Sequence, residues 1–255
     1  SPELLPVNKN DASSLLTNSK VCLTNSFSLF SDSLHVFGLE IKQFYENLKR
    51  SYFENNTIVN NYDSIYFDST QTSDTYTLKT FENQLGIFYK TPFLEFSTHA
   101  VLRNWNYANF DIKSDTTEFD INEQFQFKNK YFQLSNSSSL NLYGAKNTFR
   151  SFSEVNSIFS GYKIAVNHTF IRSLPLVFQR YYSSNNVFYK LENFELQTHQ
   201  KLKFAISKAL GKKFFSLDYS LISFNQNYFF NTSVSKWQRD LAISSSIIQQ
   251  AKISS

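Results

Sequence analysis

Nowhere in the 255 residues is there a run of about 20 consecutive apolar side chains, the length a helix needs to cross a bilayer. Helical membrane spans are therefore excluded. Cysteine is nearly absent: Cys22 stands alone, so no internal disulfide can replace a core. Without Cys or His companions at ligand spacing, it reads as an inert apolar strand position. Methionine is missing altogether, and the N-terminus lacks the basic, apolar and small-residue regions of a signal peptide. A processed or partial chain fits this better than a cytosolic one, so export stays open. GxGxxG, phosphate-loop and HExxH motifs are also lacking. The 25 Lys and Arg are scattered among 21 acidic residues for a net charge of +4, and no basic stripe marks a nucleic-acid surface.

What the chain does have is aromatic residues, 28 Phe, 15 Tyr and 2 Trp, diluted with polar residues so that only 41% of it is hydrophobic. The dilution has a period of two. Phe119, Ile121, Phe125 and Phe127 alternate with Asp120, Asn122, Gln124 and Gln126, the pattern of a strand with one greasy and one wet face. It recurs as Phe132, Leu134, Leu140 and Leu142 against Gln133, Ser135, Ser137, Ser139 and Asn141. Tyr162, Ile164 and Val166 stand against Lys163 and Asn167, and Leu196, Leu202 and Phe204 against Glu195, Gln197, His199, Lys201 and Lys203. Tilted strands cross a bilayer in roughly 9 to 11 residues, and these segments are long enough.

Eleven strands are predicted, at 20–30, 34–48, 76–90, 94–107, 118–128, 131–143, 148–159, 162–172, 187–206, 213–230 and 234–254. Register shifts are expected near Trp105 and Ile222, where the apolar parity changes. Tight connections at 31–33, 91–93, 129–130, 160–161 and 207–212 interleave with longer polar ones at 49–75, 108–117 and 173–186. Short turns at one rim and longer loops at the other are how outer-membrane barrels are built, which assigns the short set to the periplasm, although 144–147 and 231–233 are short members of the outer set. Residues 1–18 are expected to be an N-terminal loop or linker, and 19–255 one membrane β-barrel domain.

Chemistry-bearing residues form no constellation. His35, His99, His168 and His199 lie on different strands without ligand spacing; His99 and His199 read as polar-face residues, and His168 sits in the apolar parity. Several glutamates fall on the polar face; Glu123 and Glu154 depart from the pattern or sit in weakly patterned strands, which leaves their facing open. No catalytic, cofactor or metal site is expected, and the chain is not expected to be an enzyme. Aromatics at strand ends, namely Tyr89, Trp105, Tyr107, Tyr131, Tyr143, Tyr162, Tyr189, Tyr228 and Trp237, are expected to form membrane-interface girdles. The polar lumen face is expected to carry Asn122, Gln124, Gln126, Gln133, Asn141, Lys163, Glu195, Gln197, His199, Lys201 and Lys203. Lysines near the short turns, Lys128, Lys130, Lys163, Lys201, Lys203, Lys208, Lys212 and Lys213, would bias passage toward anions, or simply solvate the rim.

Several short words resemble the large putative-porin family of Bacteroidetes outer membranes. They are His35-Val36-Phe37-Gly38-Leu39-Glu40, Asn61-Tyr62-Asp63-Ser64-Ile65-Tyr66, Thr72-Ser73-Asp74-Thr75, Glu82-Asn83, and the segment from Arg180 to Tyr189. The resemblance covers about residues 34–230 and implies an outer-membrane barrel with passive permeation or a scaffolding role. Members are longer than this chain, which also ends in Ala251-Lys252-Ile253-Ser254-Ser255 without a terminal aromatic, so part of a barrel is expected.

The expectation is thus an all-β, antiparallel transmembrane β-barrel wall in the bacterial outer membrane. Its function would be passive passage of small solutes. Its partners would be outer-membrane lipid and lipopolysaccharide, with other outer-membrane proteins where it belongs to a complex; no nucleic acid is expected. The alternatives are a non-conducting subunit of a secretion, insertion or uptake complex, and a soluble secreted β-sandwich or adhesin. Strand length favours the membrane, because sandwich strands run about 5 to 6 residues.

Overall fold

The computed structural model describes residues 12–55, 71–109, 112–145, 147–175, 181–183, 188–190, 195–210, 213–225, 228–231, 236–239 and 245–254. Among these, every regular element is a strand. The first five are β1 (Ala12–Ser31), β2 (Val36–Asn55), β3 (Gln71–Lys90), β4 (Leu94–Asn109) and β5 (Ile112–Lys128). Next come β6 (Phe132–Tyr143), β7 (Phe149–Phe159), β8 (Tyr162–Ser173), β9 (Tyr181–Ser183) and β10 (Phe188–Lys190). The last are β11 (Gln197–Leu210), β12 (Lys213–Asn225), β13 (Tyr228–Asn231), β14 (Lys236–Arg239) and β15 (Ser245–Ser254). Eleven of them form one antiparallel sheet, in the order β1-β2-β3-β4-β5-β6-β7-β8-β11-β12-β15, while β9 with β10 and β13 with β14 make separate two-stranded ribbons.

Four tight turns lie at one end of the sheet, each made by local chemistry, while the β4–β5 connection after Asn109 and the β6–β7 turn after Tyr143 are short ones at the other end. Asp32 Oδ1 accepts the backbone N–H groups of Leu34 and His35, both at 2.7 Å, and so closes the β1–β2 turn. Thr91 Oγ1 accepts the Leu94 N–H at 2.9 Å, and Asn129 Oδ1 accepts those of Tyr131 and Phe132. Short polar side chains that bond their own backbone a few residues on are the usual makers of such turns. Between β7 and β8, Ser160 and Gly161 both have positive φ, 49° and 78°, the two-residue hairpin whose twist matches its strands.

Several expectations need correction. β1 begins at Ala12, so residues 12–18 are strand rather than linker. β2 runs on to Asn55 and β3 starts at Gln71, which shortens the expected 49–75 loop. The 108–117 loop is nearly all strand, since β4 pairs with β5 out to Asn109 opposite Ile112. Pairing passes through Trp105 and Ile222 without a shift. The irregularities lie between Ser28 and Phe30 and between Phe119 and Asp120 instead. Residues 1–11, the Asn61–Tyr66 word, Lys212 and the side chains of Tyr189, Lys213, Tyr228 and Trp237 lie outside the described residues.

The pairing sorts the side chains onto two faces. Glu40, Gly86, His99, Asn122, Ser139 and Arg150 stand in one cross-strand row, and every second residue from each shares that face. It is the concave one. Inward residues of β1, β2 and β4, including Ser26, Glu40 and Ser97, line a cavity of about 770 Å³ together with Gln126, Ser137, Glu154 and Thr169 of β5 to β8. The sheet has therefore curled until its first and eighth strands border one space. The convex face carries the large apolar side chains and leaves them exposed: Leu23 at 52%, Phe27 at 53% and Leu85 at 58%.

Candidate functional site: the polar concave face

On β2 to β6 the concave face is cross-linked by charge. His99 Nε2 lies 2.8 Å from Glu40 Oε2, although β3 runs between their strands. Gly86 is the reason this reach is possible. It sits between the two in the same row, and a side chain there would come within 2.2 Å of His99 Cδ2. Lys42 Nζ lies 2.7 Å from the same Glu40 oxygen. One step nearer the turns, the Phe88 ring covers Gly38, where a Cβ would meet it at 2.6 Å.

Toward the other end, Arg103 gathers three carboxylates. Its Nε donates to Glu82 Oε2 at 2.6 Å, and its Nη1 to Glu118 Oε2 at 3.2 Å and Asp120 Oδ2 at 3.0 Å. Trp105 Nε1 donates to Glu118 Oε1, and Asn141 Nδ2 to Asp120 Oδ1. The network thus ties β3, β4, β5 and β6 together. Asp120 is the most enclosed member, with its side chain 5% exposed. Burying charges costs free energy unless each finds partners, and one guanidinium with fixed donors can serve several carboxylates. Three carboxyl groups thus share one guanidinium, and the cluster borders a second cavity of about 420 Å³ that Arg150 and Pro175 also line.

Beyond β6 the lining changes. Ser135, Ser137 and Ser139 of β6 face Asn167 and Thr169 of β8 across Phe152 and Glu154. β11 presents His199, Lys201 and Lys203, of which Lys203 lies 3.7 Å from Asp218. His199 stacks on Phe224 at a centroid distance of 4.8 Å.

The register gathers most of the expected lumen residues onto this face. Asn122, Gln124, Gln126, Gln133, Asn141, Lys163, Gln197, His199, Lys201 and Lys203 all share it; Glu195 lies just ahead of β11. The girdle set divides. Tyr89 points outward with its Oη 2.7 Å from His35 Nδ1, while Tyr131 and Tyr143 are about 60% exposed at strand ends and Tyr162 carries Lys208 Nζ over its ring at 4.1 Å. Trp105 and Tyr107 are a correction: both face inward, Trp105 onto Glu118 and Tyr107 fully buried. Parity shows which face a residue takes; it was their aromatic character that had suggested the wrong one.

Nothing in the sequence singles out Arg103 or Glu118, or links either with Glu82 and Asp120. Each sits at polar parity in its own strand, but only the inter-strand register brings them together. Among the described residues, no three His, Cys, Asp or Glu side chains converge as metal ligands. Compared with known proteins, the chain matches no family model, no curated sequence and no solved structure.

Proposed function

We propose that the chain is wall of an outer-membrane β-barrel of porin type, which lets small solutes pass passively along its polar concave face. The observation that carries this reading is the inversion of faces: the enclosed side is polar and charged, while the open side is apolar and exposed. A soluble sandwich would do the opposite and bury its apolar face against a second layer. In a bilayer, lipid covers that face and the lumen holds water.

The position of the apolar belt supports the same reading. Seven successive pairings place Phe37, Tyr89, Phe96, Phe125, Asn136, Ser153, His168 and Leu202 in one outward row. On β2 the apolar residues extend from Phe37 away from the turns, through Leu39 and Ile41 to Tyr45. On β11 they extend from Leu202 toward the turns, through Phe204 and Ile206. A belt of constant height drifts through the register in this way only if the strands tilt, as transmembrane strands do by about 35 to 45°.

Ring closure sets one further condition. β1 and β15 are the free edges of the described sheet and run in the same direction, so joined directly they would pair in parallel. An all-antiparallel ring needs an odd number of further strands between them. Closure is required in lipid, where each unpaired backbone group costs several kcal/mol. This favours a second reading, in which the wall belongs to a larger assembly that supplies those strands. The resemblance to Bacteroidetes putative porins fits either reading.

Two measurements test this. Washed membranes expressing the chain are treated with carbonate; release without detergent sinks the membrane reading. Purified protein is then added to planar bilayers: stepwise conductance supports the channel, and a silent, bilayer-embedded protein supports the structural subunit.

A further inference from the structure

We propose that the outer face of β5 to β8 docks against the same face of a second copy of this chain, about a two-fold axis between β6 and β7. This rests on the membrane reading above. It begins with residues that a lipid-facing wall should not carry.

On β1 to β4 the apolar belt is interrupted only singly and by uncharged residues: Asn25, Gln43, Asn83 and Thr98. On β6 and β7 two successive outward positions on each strand are polar, Asn136 with Ser138 and Ser151 with Ser153. Apolar residues flank them, Leu134 and Leu140 on β6, Val155 and Phe149 on β7. Asn136 Nδ2 donates to Ser153 Oγ at 2.7 Å and reaches Ser151 Oγ at 3.4 Å. Its side-chain oxygen and the serine hydroxyls still have capacity to spare. Lipid tails offer nothing to fill it.

The two flanking strands carry the ionisable groups. Glu123 is exposed on the outer face of β5, one row from Phe125, and His168 lies on the outer face of β8, where Gln200 Nε2 stands 3.1 Å from its Nε2. They are one register row apart in the direction in which the belt itself drifts, so they sit at nearly the same depth. Three strand spacings, roughly 14 Å, separate them.

An acid at one margin, a base at the other and hydrogen-bonding groups between them make a self-complementary pattern. A two-fold axis through the middle sets Glu123 of each copy against His168 of the other, twice, and β6 against β7, which is the condition of an isologous interface. A partner of uniform charge would satisfy only one margin. The patch is four strands wide, which suits two convex walls meeting along a line.

The test uses the full chain with Cys22 replaced by Ser, so that each introduced cysteine is unique. Ser138→Cys in membranes, treated with a short bismaleimide cross-linker, is expected to give a covalent dimer as its main product. Leu85→Cys, on the apolar face of β3, is expected to stay monomeric. Native mass spectrometry of the detergent-extracted protein should show a dimer that Glu123→Lys converts to monomer and that Glu123→Lys with His168→Glu restores. Recovery by the double swap separates a lost contact from a misfolded chain. A protein that stays in carbonate-washed membranes yet is monomeric, or cross-links equally from Leu85→Cys, overturns the dimer and leaves the membrane reading standing. A protein that leaves those membranes overturns both.

Discussion

β1 to β5 run 16 to 20 residues and bind their inner charges into bridges across strands, whereas β6, β7, β8, β11 and β12 run 11 to 14 and line the same face with Ser, Thr, Asn and Lys. About 10 residues suffice to cross a bilayer, so in the proposed membrane wall the first group would stand well clear of it at the end away from the four tight turns. A strand pair projecting into water has no lipid to press its outer face, and the backbone ladder alone holds it. Arg103 with Glu82, Glu118 and Asp120 adds side-chain ties at that end, and Glu40 with His99 adds one lower down. The shorter strands have less to hold and keep most of their polar side chains small. Side-chain ties are thus concentrated in one half of the wall, and lysines such as Lys201 and Lys203 line the other.

The contrast predicts where substitutions hurt. The largest effect is expected from Arg103→Met, which leaves three carboxylates facing one another. Loss of one partner from a largely buried ion network costs about 3 kcal/mol, read as the urea midpoint in detergent. Adding Glu82→Gln and Asp120→Asn to that variant should return most of the loss; a change below about 0.5 kcal/mol in the single variant, the range of ordinary surface substitutions, would remove the bracing role.

Gly86→Leu comes next. It drives a side chain into the space His99 occupies on its way to Glu40, and overpacking of this kind costs about 1 to 3 kcal/mol. Measured in the same unfolding assay, an equal effect from Ser137→Leu on β6 would erase the difference between the halves. The Lys201→Glu, Lys203→Glu pair is expected to leave stability within about 0.5 kcal/mol while moving the bilayer reversal potential toward cations. An unchanged reversal potential would mean that these lysines do not border the permeation path.

The smallest effect belongs to the β1–β2 turn. The N–H groups of Leu34 and His35 hold the Asp32 carboxyl below its ordinary range, with His35 adding to this. A depressed carboxylate pKa contributes stability above its unfolded value, near 3.9, and loses it as the pH falls through the folded value. Asp32→Ala should therefore be slightly less stable than the parent at neutral pH, and the gap should close on acidification below pH 4 or so. A gap that widens in acid would show that another group governs the turn.

How far the sequence was legible follows from where water lies. Period-two alternation is visible only where the two faces meet different solvents, and the strands from β4 to β8 were placed within a few residues wherever Phe or Leu marked one side. Residues 12–19, 49–55, 71–75, 108–109 and 112–117 are strand too, but both their faces are largely polar, so periodicity gave no signal and they looked like loop. Turns were legible because Asp32, Asn129 and Gly161 act locally. The Arg103 network was not, because its charged members come from three strands and meet only through register, as do the polar positions of β6 and β7.

The direction of the edge strands decides which compartment each end of the sheet addresses. β1 sets out at Ala12 from the rim opposite the tight turns, while β15 finishes at Ser254 on the tight-turn rim. If the wall sits in the outer membrane as proposed, with the tight turns in the periplasm, an epitope inserted just ahead of Ala12 would be reached by antibody on intact cells, and one just after Ser254 only once the envelope is opened.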